Sequence, residues 1–300
     1  MPALNDRYIV VNYHYVRDPS PDWLGIHPCP IAEFDRQIKL LSENFKIVSV
    51  SEVYEAAKNG VDGKFCALTF DDGFKDNFEN ALPILKKYSA TGTFFIITST
   101  FEFKVSLTHK LHVLFSRSSP EELIDLFNNW AGESYAIPKD HSIDFRRKHG
   151  DMLTNNFKET MIILPDAVRE KFLDFYFKKF NLDENNLCRI LFMNSNEVKK
   201  LASQGMAIGS HSHNHNSFEL LSMNDALIDL RNSKKKLDDL LRKEVDVFSY
   251  PHGRYAAEAV ELLDRAGFRY AVTIDRRSIT AQDSKFFIPR YDANDLLEFN

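Results

Sequence analysis

Short runs rich in β-branched and aromatic residues alternate with amphipathic segments of helical period along most of this chain. No other feature limits its possible folds as strongly. Residues 8–16 read as a buried strand ending near His14. Residues 31–45 place Phe34, Ile38, Leu41 and Phe45 at helical spacing, and strand character returns at 46–50. Residues 51–58 read as a helix with Ser51 as N-cap, and 64–70 as the next strand. Residues 80–88 are helical, with Pro83 suited to a first turn, and 92–98 are again β. The pattern resumes with a helix at 196–204, a short strand at 206–209, and a long helix at 222–242 with Leu227, Leu230, Leu237 and Leu241 on one face. Residues 245–250, 256–266 and 268–274 continue as strand, helix, strand.

Such alternation is the mark of parallel strands joined by crossover helices, and either a barrel or a doubly wound sheet satisfies it. The chemically interesting residues fall repeatedly at C-terminal strand ends, where a barrel gathers its functional groups, and this favours the barrel. Residues 101–189 break the rhythm. They are rich in Phe, Leu and Lys, with their clearest helices at 122–130 and 168–180, and Phe172, Phe175 and Phe180 read as a small core rather than a cofactor box. The chain 1–300 therefore reads as a single domain with a mainly helical insertion at about 101–189.

Composition narrows the function classes. A formal net charge of -5, with 27% charged and 44% hydrophobic residues, describes an ordinary globular protein and not a general nucleic-acid binder. The run Lys234-Lys235-Lys236 is a solvated helix face. Three well-separated cysteines argue against a disulfide framework and fit a reducing compartment. With neither a basic-then-apolar leader nor a membrane-length apolar run, the expectation is a cytoplasmic protein with no membrane span. Oligomeric state is not legible.

Three segments carry chemistry. In Thr69-Phe70-Asp71-Asp72-Gly73 two carboxylates follow an apolar run. Neighbours on a strand point to opposite faces, but at a strand exit both can turn toward one pocket, one holding a metal and the other taking a proton. Read alone, Asp72-Gly73 is a common turn pair. In Gly209-Ser210-His211-Ser212-His213-Asn214-His215, His211 and His215 share a face if the segment turns helically, and His211 and His213 share one if it stays extended. Gly209 and Asn214 favour a turn. Two imidazoles and a carboxylate, with Asp72 the chosen oxygen, suit a catalytic divalent transition metal with open positions. In Phe248-Ser249-Tyr250-Pro251-His252-Gly253, proline and glycine fix a tight turn able to aim a backbone N–H or the His252 ring into the pocket.

T-F-D-D-G, H-S-x-x-H and F-x-Y-P-x-G, in this order, resemble the polysaccharide deacetylase family, also called the NodB homology or carbohydrate esterase family 4 group. Supporting similarity runs through Asn12-Tyr13-His14, residues 34–41 and Ala266-Gly267-Phe268. The resemblance implies a deformed (β/α) barrel, a divalent metal of the Zn2+ type on Asp72, His211 and His215, and Asp71 as the general base that deprotonates the attacking water. It departs from the family at two places. Ser249 stands where many members carry the arginine that orients the base, and Arg290 in Phe287-Ile288-Pro289-Arg290 is the expected substitute. The late L-x-H motif is missing from residues 291–300, so His14, beside the last strand if a barrel closes, is the expected general acid, with His252 as runner-up. The implied activity is hydrolysis of an N-acetyl or similar small acyl group from an amino sugar of a surface polysaccharide or its precursor. A hydrolase of a non-sugar amide or imide, and a non-catalytic carbohydrate-binding relative, are the alternatives.

Overall fold

The apolar runs become the strands of a sheet in which every pairing is parallel: β1 Tyr8–Tyr13, β2 Lys46–Ile47, β3 Phe65–Phe70, β4 Thr93–Ile96, β5 Ala207–Ser210, β6 Val247–Ser249, β7 Tyr270–Val272 and β8 Tyr291–Asp292. The computed structural model describes residues 2–143 and 151–296. Its strand order is β7-β6-β5-β4-β3-β1-β8, with β2 added beside β3. Register runs from Tyr8 opposite Phe65 to Tyr13 opposite Phe70. The ends of the sheet meet through residues 288–292: Ile288 bridges Val272, with its N–H donating to the Ala271 carbonyl at 3.0 Å, while Tyr291 pairs with Val11. The curled sheet is a deformed (β/α) barrel.

Strand period two sorts the side chains. Ile9, Val11, Tyr13, Cys66, Leu68, Phe70, Phe94 and Ile96 share one cluster with Phe34, Ile38 and Leu41 of the helix Ile31–Asn44, Val198 and Leu201 of the helix Ser195–Ser203, and Leu237 of the helix Met223–Leu241. Alternate residues Val10, Ala67, Phe95, Val272 and Ile288 form a second cluster with Val53 and Tyr54 of the helix Val50–Lys58. Two residues further along β1, β3 and the closing segment, this second face turns polar, at Asn12, Thr69 and Arg290. A barrel closed by these strands thus carries an apolar layer below a polar one.

The helix Val50–Lys58 corrects the expected cap. Its N-cap is Ser49, whose hydroxyl accepts the Glu52 N–H at 3.3 Å while the Glu52 carboxylate accepts the Ser49 N–H at 2.8 Å. This capping box needs Glu or Gln three residues after the cap, and Ser51 is followed at that distance by Tyr54.

By contact, the chain forms two units: Met1–Asp18, Pro28–Ser106 and Cys188–Asn300 in the first, Pro19–His27 and Leu107–Leu187 in the second. The second unit carries the helices Leu107–Phe115, Pro120–Ala131, Met152–Ile163 and Asp166–Lys179. Its core is aromatic, with Phe127 and Phe172 edge to face at 4.9 Å. It begins later than residue 101 and includes Pro19–His27, a segment without helical or strand period in sequence.

Gly209, on β5 just before the histidine segment, lies against the Phe95 ring, with which a Cβ would collide. Gly209→Ala is expected to cost about 1–3 kcal/mol by overpacking, read as a lowered midpoint in chemical denaturation; an unchanged midpoint would contradict this packing.

Candidate metal centre and active site

β3 ends at Phe70, and the Asp71 N–H extends the ladder by donating to the Tyr13 carbonyl at 2.9 Å. Asp71 is therefore still held as a strand residue. Asp72 leaves the ladder with φ 73, a left-handed backbone that Gly73 continues at φ 71. That reversal lets two consecutive carboxylates act at one place. Asp72 Oδ1 lies 3.5 Å from His211 Nε2 and 3.3 Å from His215 Nε2. One ligand atom from each of these three buried residues lies within 4.8 Å of the others.

The two histidines do not meet through a helix, correcting the helical route to their pairing. After β5 the chain turns with Ser212 at φ 66 and His215 at φ 58. The His215 N–H donates to Ser212 Oγ at 2.7 Å, and the rings stand 4.8 Å apart. His211 Nδ1 lies 2.8 Å from the Ser249 carbonyl. A carbonyl only accepts, so Nδ1 carries the proton and Nε2 presents its lone pair toward Asp72 and His215. This donor chemistry fits a divalent transition metal: neutral imidazole nitrogen, a carboxylate oxygen and burial. His213 turns aside, with Nδ1 2.9 Å from Thr98 Oγ1, and burial lowers its pKa against the opposing pull of Asp229.

Asp71 is held separately. Arg290 Nη1 and Nη2 donate to its two oxygens at 2.9 and 2.8 Å, a bidentate pair in which both residues are buried. The remaining donors of Arg290 reach the Thr273 carbonyl, Asn12 Oδ1 and Ser249 Oγ at 2.8, 2.8 and 3.1 Å. Ser249 Oγ donates in turn to Asp71 Oδ2 at 3.3 Å. Burial would raise the Asp71 pKa, but the Arg290 guanidinium, and after it His211, hold the carboxyl below its ordinary value.

His252 occupies a tight turn at φ 60, its ring 4.6 Å from that of His215. His14 follows β1 and is exposed. A cavity of about 270 Å3 is lined by both, together with Asn12, Arg290, Arg276 and Asp292. A larger cavity of about 750 Å3 lies at the opposite strand ends, lined by Thr93, Ala207 and Val247, and touches none of these groups.

The sequence profile described as polysaccharide deacetylase matches residues 58–124 and 154–271. The chain belongs to the polysaccharide deacetylase family. YxkH of Bacillus subtilis (strain 168) is 20% identical to it over 264 residues, covering 87% of this chain and 64% of that protein. The chain thus spans just under two thirds of that relative's length. The poly-beta-1,6-N-acetyl-D-glucosamine N-deacetylase of Staphylococcus aureus (strain MSSA476) is 21% identical over 297 residues, 94% of this chain and 77% of that one. The solved Streptococcus pyogenes deacetylase PplD, in complex with acetate, matches with a TM-score of 0.63 at 19% identity over 98% of this chain and 97% of that one, a likeness of fold.

Within this member of the family, Arg290 reaches Asp71 from the barrel-closing segment, and the Ser249 side chain bonds to both. Sequence reasoning overlooked Asn12 and Thr273 as partners of Arg290, and Asp229 beneath the histidine loop. Asn12 had a signal: a polar residue in an otherwise apolar strand. Among the described residues no helix is long and apolar enough to cross a membrane.

Removing Arg290 leaves a buried carboxylate without its counter-charge. Arg290→Met is expected to cost about 3–5 kcal/mol near neutral pH. Because the folded-state pKa of Asp71 is depressed, the pair's contribution is full above the unfolded carboxylate pKa and is lost as pH falls through the folded value. The stability gap between wild type and variant should narrow on acidification; denaturant titrations across that range check both points, and a constant gap would contradict the pairing.

Proposed function

We propose that the protein is a metal-dependent hydrolase that removes an N-acetyl or similarly small acyl group from an amino sugar of a surface polysaccharide or its precursor. The carrying observation is the division of labour between adjacent carboxylates: Asp72 faces two imidazoles, while Asp71 is held by Arg290 outside that set. Asp72, His211 and His215 would hold the cation, best satisfied by Zn2+ among common divalent ions. Bound there, such an ion lowers the pKa of a water and offsets negative charge on the acyl oxygen.

The chain's own residues supply the proton transfers. Asp71, kept ionised by Arg290, takes a proton from the attacking water, and the new C–O bond forms as that proton leaves. Breaking the C–N bond requires a proton on the departing amine. His14 and His252 line the same cavity as Arg290, so either, in its protonated form, is placed to donate it. The cycle closes as Asp71 gives up the proton it took and the imidazole regains one. Products are the free acid and the amine. The name of the staphylococcal relative, a poly-beta-1,6-N-acetyl-D-glucosamine N-deacetylase, supports an N-acylated glycan over a non-sugar amide or imide. A relative that binds carbohydrate without turning it over has no use for a buried, arginine-held carboxylate beside the histidines.

Metal quantification combined with acyl-release assays over a panel of N-acylated sugars tests the proposal. Asp71→Asn is expected to lower acyl release by roughly 10²–10⁴-fold while keeping bound metal, and unchanged turnover would sink the base assignment. His215→Ala is expected to lose the metal, and full retention would overturn the assignment of Asp72, His211 and His215 as its ligands. His14→Ala and His252→Ala, compared on substrates with good and poor leaving amines, identify the acid: its loss hurts poor leaving groups more.

A further inference from the structure

The loop delivering His211 and His215 belongs to no regular element, and two of its non-glycine residues, Ser212 and His215, have left-handed backbone. Such conformations persist only where the surroundings over-determine them. Part of the restraint comes from the strand side, where the Thr98 N–H donates to the Ser212 carbonyl at 3.3 Å and the Ser99 N–H to the His213 carbonyl at 3.0 Å. The His213 and Asn214 N–H groups point the other way, and both donate to Asp229, at 2.7 Å to Oδ1 and 3.0 Å to Oδ2. The Asn214 side-chain amide adds a third bond to Oδ2 at 3.2 Å.

Asp229 is 4% exposed, on the inner face of the helix Met223–Leu241. One turn further on the same face, Ser233 Oγ lies 2.7 Å from Ser210 Oγ, which accepts the Ser212 N–H at 3.2 Å. The helix therefore grips the loop at two points. An ionised carboxylate can accept at both oxygens at once, whereas an asparagine in its place would offer one acceptor and turn an amide N–H toward a backbone N–H.

We infer that Asp229 is a positioning residue for the metal centre: by bonding the His213 and Asn214 backbone, it holds the loop in the shape that brings the His211 and His215 Nε2 atoms to Asp72. It touches neither the metal set nor the substrate cavity, and acts through the loop alone. The inference rests on Asp72, His211 and His215 being the metal ligands. A purely structural carboxylate would lower the stability of the fold and leave metal affinity untouched.

The test titrates Zn2+ into metal-free full-length protein against a competing chelator, alongside amide hydrogen exchange and thermal unfolding without metal. If the wild type binds no single equivalent of Zn2+, the metal reading of the site fails, whatever Asp229 does. If it binds, Asp229→Asn is expected to weaken affinity by roughly 10–100-fold, with faster exchange at the His213 and Asn214 amides. Asp229→Glu, which keeps both acceptor oxygens, is expected to recover part of that affinity. Wild-type affinity in folded Asp229→Asn overturns the inference, as do equal losses in the Asn and Glu variants. Should Asp229→Asn fail to fold, Asp229→Ser, which leaves room for water where the carboxylate stood, is read by the same criteria.

Discussion

The buried pair of Asp71 and Arg290 is the interaction on which the rest of the site depends. A lone carboxylate at that depth would take up a proton rather than remain charged, because desolvation penalises the ionised form. Keeping it ionised requires a cation that is itself fully satisfied, and the Arg290 donors reach Asp71, Asn12, Thr273 and Ser249. The guanidinium arrives on residues 288–292, the segment that joins β7 to β1. Ring closure and the charge state of Asp71 are thus one event: without the final segment in register, there is no counter-charge at the end of β3.

Strand period two then does most of the spatial work. The face that supplies Val10, Ala67, Phe95, Val272 and Ile288 to an apolar layer supplies Asn12, Thr69 and Arg290 one step later. The low-dielectric floor strengthens the electrostatic contacts above it, which is why short hydrogen bonds there are worth more than equivalents at the surface.

Much of this was legible in the sequence, because strands with buried faces are written as apolar runs and their ends as sudden polarity. The two motifs containing Asp71, Asp72, His211 and His215 pointed to one place, and the structure brings the Asp72, His211 and His215 side chains together, with Asp71 held apart by Arg290. The route between the histidines was not legible: spacing suggests a helical turn, but left-handed φ at Ser212 and His215 has no periodic signature in non-glycine residues. Asp229 was hidden for a different reason. A polar residue on a long helix is normally read as solvent-facing, and its partners are backbone groups of a loop 15 and 16 residues away, which carry no side-chain code. The Ser49 cap was readable in principle from Glu52, which stands three residues after Ser49 as a capping box requires, although Ser51 is also a residue type that caps helices.

Four residues around this site, Asp72, Ser212, His215 and His252, adopt backbone angles that glycine takes without penalty and other residues take at roughly 1–2 kcal/mol each. Glycine at any of them would relax the chain while deleting the side chain the place exists to display. Selection for robustness and selection for chemistry therefore pull against each other at these positions, and a lineage released from the second would drift toward a smoother, more stable and chemically silent barrel.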